Sequence, residues 1–275
     1  MSHSACEVED YRRLVEDTLP IVREVSRTAL ALQQRTINVK FKADGSPVTQ
    51  ADHAIEEFLF DELGRLTPDD GFKGEENRTR ASSSGREWIV DPIDGTVQFI
   101  RGQEFWSILM GLEDQKVGKV GIISFPARNE LIYASTGNGC WEETSGSVKK
   151  LEVSDTHELS RAYILHNGIE FARRVKRAKR LSVLLSSVGA ERGYADAFGH
   201  MEVARGHSDC MIDFMTEHHD IAAVRVAIEE AGGHWSTLSG GQELGQEDAG
   251  SITTNGILHE IIREMLERED PDTLE

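Results

Sequence analysis

The sequence predicts a mixed α+β and α/β protein in which two sheets are layered with helices. Three observations carry this. Residues 88–153 read as a succession of short strands broken by Gly, Asn and Asp turns. Residues 161–268 alternate strand and helix, and the chain opens on two amphipathic helical segments.

Between about Glu7 and Gln34, Leu14, Val15, Leu19, Val22, Val25, Ala29 and Leu32 recur at helical spacing, with Pro20 expected to kink the helix. Ile55, Phe58, Leu59 and Leu63 predict a second helix from about Asp52 to Leu66, with Thr49 or Asp52 as its cap. Strands are expected at 88–91, 105–113, 117–124, 130–135, 139–143 and 148–153. The alternating part reads as strand 161–166, helix 170–188, strand 191–194, helix 196–206, strand 209–214 and helix 220–231. Strands 234–238 and 250–254 precede a last helix at 256–268. The pattern changes near residue 150 without a Pro/Ser linker. Two subdomains packed as one unit are expected: 1–150, with an antiparallel sheet, and 151–275, of α/β type. Internal repeats and low-complexity tracts are not evident.

Composition narrows the function. The chain has 275 residues, a net charge of −18 and a pI of about 5.0, a surface that disfavours nucleic acid and anionic membranes as general partners. The one basic cluster, residues 173–180, has Val175, Ala178 and Leu181 at helical spacing, so its charges read as a solvated helix face. Cys6, Cys140 and Cys210 are odd in number and lack metal-type spacing, which reads as free thiols in a reducing compartment. The N-terminal residues show no secretory pattern and no run approaches a membrane span, so a soluble cytoplasmic protein is expected.

The chemistry concentrates in Trp88-Ile89-Val90-Asp91-Pro92-Ile93-Asp94-Gly95-Thr96. A strand ends in two carboxylates stiffened by a proline and followed by Gly-Thr, which suits oxygen-seeking divalent cations and a phosphate. Turn punctuation is the plain alternative. Three other segments add acids: Thr49 to Asp52 before the second helix, Glu75-Glu76 after Gly74, and Asp220 at the start of an apolar helix. Each has a local explanation, namely capping, a solvated glutamate for one of the pair, or the helix dipole. Together, Glu75, Asp91, Asp94 and Asp220 with the Ile93 carbonyl can supply the hard-oxygen set of a two- or three-metal Mg²⁺ phosphatase. Gly95 and Thr96 would present N–H groups to phosphate, and a Thr hydroxyl beside Asp52 would help activate water. A covalent aspartyl route of the haloacid-dehalogenase type has its two aspartates separated by one residue, at i, i+2. Asp91 and Asp94 stand at i, i+3 with Pro92 between, which favours attack by activated water.

The run Gly74-Glu75-Glu76, then Asp91-Pro92-Ile93-Asp94-Gly95-Thr96, then Asp220-Ile221-Ala222-Ala223, resembles the inositol monophosphatase superfamily of Mg²⁺-dependent, often lithium-sensitive phosphomonoesterases. The similarity extends from about Lys42 to Glu260 and includes Pro47-Val48-Thr49-Gln50-Ala51-Asp52 and Thr254-Asn255-Gly256. It implies a layered αβαβα sandwich, commonly a homodimer. It also implies metal ligation by Glu75, Asp91, Asp94, Asp220 and the Ile93 carbonyl, with Thr96 and Asp52 activating water, Asp94 within the catalytic set, and Gly95 and Thr96 binding phosphate. One departure is His219, where most relatives carry Trp; its plain reading is a partly exposed helix-start residue. Arg192-Gly193-Tyr194-Ala195-Asp196 resembles the histidinol-phosphate phosphatases of that superfamily, as does Phe99-Ile100-Arg101-Gly102 with Trp106. Asp213, seven positions before Asp220, stands where many members carry a substrate-binding Glu. A carboxylate pair, Asp196 and Asp213, would hold an ammonium or imidazolium, unless Asp196 merely caps its helix.

The expected function is therefore hydrolysis of a small phosphorylated metabolite, with L-histidinol phosphate, an intermediate of histidine biosynthesis, leading. Substrate contacts are assigned to Gly95, Thr96, Arg192, Asp196 and Asp213. An inositol or broad sugar-phosphate phosphatase is the alternative; a non-catalytic metal- or phosphate-binding regulator is the alternative of another class.

Overall fold

In a computed structural model, residues 5–34, 39–41, 47–194, 196–245 and 250–267 are described. Asp44, Gly45 and Ser46 of the loop before the second helix, and Ala195, lie outside the described residues. The chain divides into two compact units: residues 1–150 with His219–Glu230, and residues 151–218 with 231–275.

The first unit contains α1 (Ala5–Gln33), β1 (Val39–Phe41), β2 (Pro47–Thr49), α2 (Gln50–Leu66), β3 (Gly71–Gly74), β4 (Thr79–Arg80), β5 (Arg86–Asp94) and α3 (Thr96–Ile100). It continues through β6 (Ser107–Asp114), β7 (Val117–Phe125), β8 (Glu130–Ser135) and β9 (Cys140–Thr144) to β10 (Ser147–Leu151). Eight strands form one sheet in the order β10-β9-β8-β7-β6-β5-β3-β4, and β3 runs parallel to β5. The helix α1 runs unbroken through Pro20. Val15, Val22, Val25 and Ala29 of α1, with Ile55, Leu59 and Leu63 of α2, pack on the sheet face made by Val90, Met110, Leu112, Val120 and Ile122. Strand alternation sends the intervening residues to the other face. There Gly111 and Gly121 are register partners on β6 and β7, and they make room for a helix from later in the chain.

The second unit contains β11 (Tyr163–His166), α4 (Ile169–Arg174), α5 (Ala178–Leu185), β12 (Ala190–Gly193), α6 (Asp196–Ala204) and β13 (Cys210–Asp213). Next in chain order is α7 (His218–Glu230), most of which belongs to the first unit. The second unit resumes with β14 (His234–Thr237), β15 (Ser251–Thr254) and α8 (His259–Leu266). Its sheet has the order β12-β11-β13-β15-β14, with β11 parallel to both neighbours and β15 antiparallel to β13 and β14.

Several expectations are corrected. Assigning 151–275 to one subdomain fails for α7. A Cβ at Gly111 would lie 2.8 Å from the Ala222 carbonyl carbon, and one at Gly118 would lie 2.8 Å from Val226, so this helix is seated directly on the glycines of the first sheet. The single helix expected over 170–188 is two, because Lys176 takes a left-handed φ of 55°, which an α-helix does not accommodate. The short strands β1 to β4 and helix α3 carry too few residues for a periodic signal. Among the described residues no helix is long and apolar enough to cross a membrane, and all three cysteines are free thiols.

Two buried histidines of the second unit make stability pH-dependent. His200 Nδ1 lies 2.8 Å from the Thr253 hydroxyl, and burial lowers its pKa from 6.5 to about 3. His259 is bracketed by Ser236 (2.9 Å) and Thr254 (3.1 Å); burial, then the neighbouring His234, lowers it from 6.5 to about 4. Below pH 6.5 the unfolded chain binds protons that the folded chain refuses, so stability is complete above that pH and falls as pH drops. The slope is up to about 1.4 kcal/mol per pH unit for each histidine. Urea titrations between pH 7 and pH 4.5 should show this loss, and His200→Gln should make it shallower. An unchanged slope in that variant would remove His200 from the account.

Candidate active site

The last four residues of β5 are buried, and its pairing with β6 slips among them. Asp91 faces Leu109 and Asp94 faces Ser107, so three steps on β5 match two on β6. In a regular strand, residues i and i+3 point to opposite faces. The extra residue is a β-bulge, which turns Asp94 back to the side of Asp91. Pro92 is tolerated there because a bulged residue can leave the ladder. The Ile93 N–H donates to Asp91 (2.9 Å), and the Ser107 hydroxyl donates to Asp94 (2.6 Å).

Two more carboxylates are delivered to this point. Asp220 stands in the first turn of α7, and one oxygen each from Asp91, Asp94 and Asp220 lie within 4.8 Å of one another. Glu75 follows β3, tied to β5 by its N–H to the Val90 carbonyl (3.1 Å). The turn beyond it is held by Glu56 of α2, which accepts from the Glu76 N–H (2.6 Å) and the Arg78 N–H (2.8 Å). A Cβ at Gly74 would overlap the Glu56 carboxylate, so glycine is needed there. Sequence reasoning missed Glu56. The available signal was its helical spacing, four residues after Asp52 on the face of Ile55 and Leu59. Glu76, the partner of Glu75 in the acidic pair, is buried rather than solvated surface.

Asp91 resists ionisation. Burial holds the Asp91 carboxyl well above the usual carboxylate range, and the charges of Glu75, Asp94 and Asp220 add to it. A divalent cation reverses that balance. Asp52 is raised by burial and, to a lesser extent, by the charge of Glu75, against hydrogen bonds from Thr49. The Thr49 N–H (2.9 Å) and hydroxyl (2.6 Å) both donate to Asp52 Oδ2, while the Thr49 oxygen accepts from the Ala51 N–H (3.0 Å). Asp52 Oδ1 is buried with no hydrogen-bond partner among the described residues. A buried, unpaired carboxylate oxygen on a residue near enough to Glu75 to feel its charge fits a site built for a hydrated hard cation.

Thr96 and Asp52, the two residues expected to help activate water, share no hydrogen bond among the described residues. Thr96 donates to the Ile93 carbonyl instead (3.2 Å). The reason is local: Thr49 is the N-cap three residues before Asp52, whereas Thr96 begins α3 directly above Ile93. This bond uses one lone pair of the Ile93 carbonyl and leaves the other for a cation. Gly95 adopts φ 83°, ψ 47° and opens α3. The Phe99 N–H is the first to bond back to the Gly95 carbonyl (3.0 Å), so the N–H groups of Gly95, Thr96 and Val97 have no helical acceptor.

The remaining sequence candidates lie in the second unit, at the C-terminal edge of the parallel strands where ligands bind open α/β sheets. Asp213 ends β13, Arg192 sits on β12 and Asp196 starts α6; β12 and β13 flank β11. Asp213 is buried, and it accepts from Asn167 Nδ2 and from the Met215 N–H (3.0 Å). Asn167 Oδ1 also accepts from the Phe214 N–H (3.3 Å), which makes it a clamp on Asp213 that sequence reasoning missed. Arg192 is exposed and donates to the Glu191 carbonyl (2.6 Å). Asp196 itself takes a left-handed φ of 60°. Phe99 and Trp106 stack edge to face at 4.9 Å and are fully buried, a packing role.

Carboxylates crowded at a bulged strand end, beside the start of a helix, suit a divalent cation and a phosphate, the chemistry of a phosphoryl hydrolase. Comparison with known proteins agrees. The model of the inositol monophosphatase family matches residues 9–270. The histidinol-phosphatase of Mycobacterium tuberculosis is 34% identical over 227 residues, covering 82% of this chain and 86% of that protein. Among solved structures, the extragenic suppressor protein SuhB of Bartonella henselae superposes with a TM-score of 0.85 at 24% identity, covering 93% of this chain and 99% of the other. An IMPase/NADP phosphatase solved with Mg²⁺ and phosphate shares the fold, with a TM-score of 0.77 at 21% identity over 94% of this chain and 95% of that one. The chain belongs to the inositol monophosphatase family, and it is a phosphoric monoester hydrolase of layered α+β architecture.

Proposed function

We propose that the protein hydrolyses L-histidinol phosphate to L-histidinol and phosphate with two or three Mg²⁺ ions per site, acting in the cytoplasm as a homodimer. The observation that carries the phosphatase chemistry is the bulge that aims Asp91 and Asp94 at the same point as Asp220. Glu75, Asp91, Asp94, Asp220 and the Ile93 carbonyl would hold the cations. Bound Mg²⁺ supplies activation of the attacking water and neutralises charge on the phosphoryl oxygens.

The protein's own groups do the rest. The N–H groups of Gly95 and Thr96 receive phosphate oxygens at the start of α3. Asp52 Oδ1, unpaired and raised toward neutrality, is suited to take a proton from the attacking water, while Thr49 fixes the opposite oxygen. Asp213, held by Asn167, and Asp196 are the carboxylates proposed to recognise the alcohol portion of the substrate, and a cationic amino alcohol would satisfy them better than a polyol would. The histidinol-phosphatase relative supports this choice.

Phosphate release from histidinol phosphate and from inositol-1-phosphate, measured side by side with Mg²⁺, tests the reading. A kcat/KM ratio of at least about tenfold for histidinol phosphate is expected, shrinking in Asp213→Asn by about one to two orders of magnitude, since a buried charge-assisted hydrogen bond is lost. A preference for inositol phosphate would overturn the substrate assignment and leave the chemistry intact.

A further inference from the structure

We propose that His219 is a nitrogen ligand to one cation of the carboxylate cluster, and that it turns that position toward borderline cations such as Mn²⁺. The inference rests on reading the cluster as a divalent-cation site and adds to it a ligand and a metal preference.

Ligating atoms in the cluster fall into two sets that share Asp91. Asp91, Asp94 and Asp220 offer oxygens only, whereas Glu75, Asp91 and His219 offer two oxygens and an imidazole nitrogen, each set lying within 4.8 Å. His219 Nε2 is 3.9 Å from Glu75 Oε1 and 3.3 Å from Asp220 Oδ1. Two ligands on one ion with bonds of about 2.1 Å cannot be farther apart than about 4.2 Å, so the His219–Glu75 separation already suits a shared cation. Asp91, buried, belongs to both sets. The Asp52 carboxylate, near enough to Glu75 to feel its charge, leaves its buried Oδ1 unpaired, an independent sign that this end of the cluster is built for a ligand.

The two sets differ in chemistry. Three carboxylates form a hard set, matched to Mg²⁺. Replacing one oxygen by imidazole favours first-row transition metals, because nitrogen donors suit them while Mg²⁺ gains little from nitrogen. A histidine that only neutralised its acidic neighbours would leave the ratio of Mn²⁺ to Mg²⁺ affinity unchanged. A ligating histidine raises it.

The test uses full-length, chelator-stripped protein with Mn²⁺ and Mg²⁺ as probes, and the variants His219→Phe and His219→Gln checked for folding by circular dichroism. In the wild type, electron spin echo modulation of bound Mn²⁺ should show coupling to a directly ligated ¹⁴N, and both variants should lose it. Calorimetric Mn²⁺ affinity should fall at least about tenfold in the variants while Mg²⁺ affinity changes less than about threefold. Absence of nitrogen coupling in the wild type, its persistence in the variants, or equal weakening of both metals would overturn the proposal. Failure of the wild type to bind either ion is a different result, and it would remove the underlying cation site as well.

Discussion

Asp94→Asn is expected to lower Mg²⁺-dependent phosphate release by on the order of 10³-fold or more, the scale of losing a charge that acts directly on the reacting phosphoryl group. The variant is nearly isosteric, and its amide oxygen can still accept the Ser107 hydroxyl that Asp94 holds at 2.6 Å. What it loses is one negative charge from a cluster in which Asp91 is already pushed toward neutrality, first by burial and then by Glu75, Asp94 and Asp220. Repulsion is therefore relieved in the metal-free protein, and its melting temperature in chelator should be equal to or above that of the wild type. The response to Mg²⁺ should vanish. A ligand at a hundred times its Kd stabilises a fold by about 2.7 kcal/mol, which corresponds to roughly 5–10 °C for a chain of this size. Thermal melts with and without Mg²⁺, paired with phosphate release, separate loss of the site from loss of the fold. Retention of activity within tenfold, or an intact Mg²⁺ response, would remove Asp94 from the metal ligands.

Gly121→Val should give the largest loss of stability, about 3 kcal/mol, seen as a melting temperature about 6–12 °C lower. A Cβ at Gly121 would overlap the carbonyl of Ala223 in α7, and its register partner Gly111 meets the same helix at Ala222. Both obstacles are helix backbone, which cannot rotate away as a side chain can. Gly118→Ala is the internal comparison: it meets only a methyl of Val226 and should cost about 1 kcal/mol. The consequence reaches the site, because α7 carries His219 and Asp220 in its first turn. Lifting the helix by even an ångström separates Asp220 from Asp91 and Asp94, so Mg²⁺ affinity should fall about tenfold even in molecules that remain folded. Denaturant melts and Mg²⁺ calorimetry on the two variants would check this. Equal destabilisation by both would mean that the glycine floor under α7 does not set the seating of the helix.

The parts of this protein that were legible in the sequence are those governed by local chemistry. Apolar periodicity placed α1, α2 and most strands of the large sheet, since burial of one face at period 3.6 or 2 leaves its mark on the sequence. Asp91-Pro92-Ile93-Asp94-Gly95-Thr96 announced acids, a stiff turn and a helix start, because those residue types make those structures almost anywhere. The strands β1 to β4 and the helix α3 were not read from the sequence. The break between α4 and α5 depends on one left-handed residue, Lys176, which composition does not reveal. Glu56 and Asn167 act by holding other groups in place, and a positioning role is visible only once the partner is known.

By itself, then, the sequence determined which chemistry this chain can perform: a family of Mg²⁺-dependent phosphoryl hydrolases, and acids in four separate segments to serve it. Tertiary structure decided how those acids meet. A strand with period 2 would have sent Asp91 and Asp94 to opposite faces, and the bulge against β6 cancels that alternation. Glycines on β6 and β7 draw in a helix from about a hundred residues away in sequence, set Asp220 beside both aspartates and bring His219 within 3.9 Å of Glu75. Close approach between backbones distant along the chain is a property of the packed core, so the meeting of Asp220 with Asp91 and Asp94, and of His219 with Glu75, was decided only there.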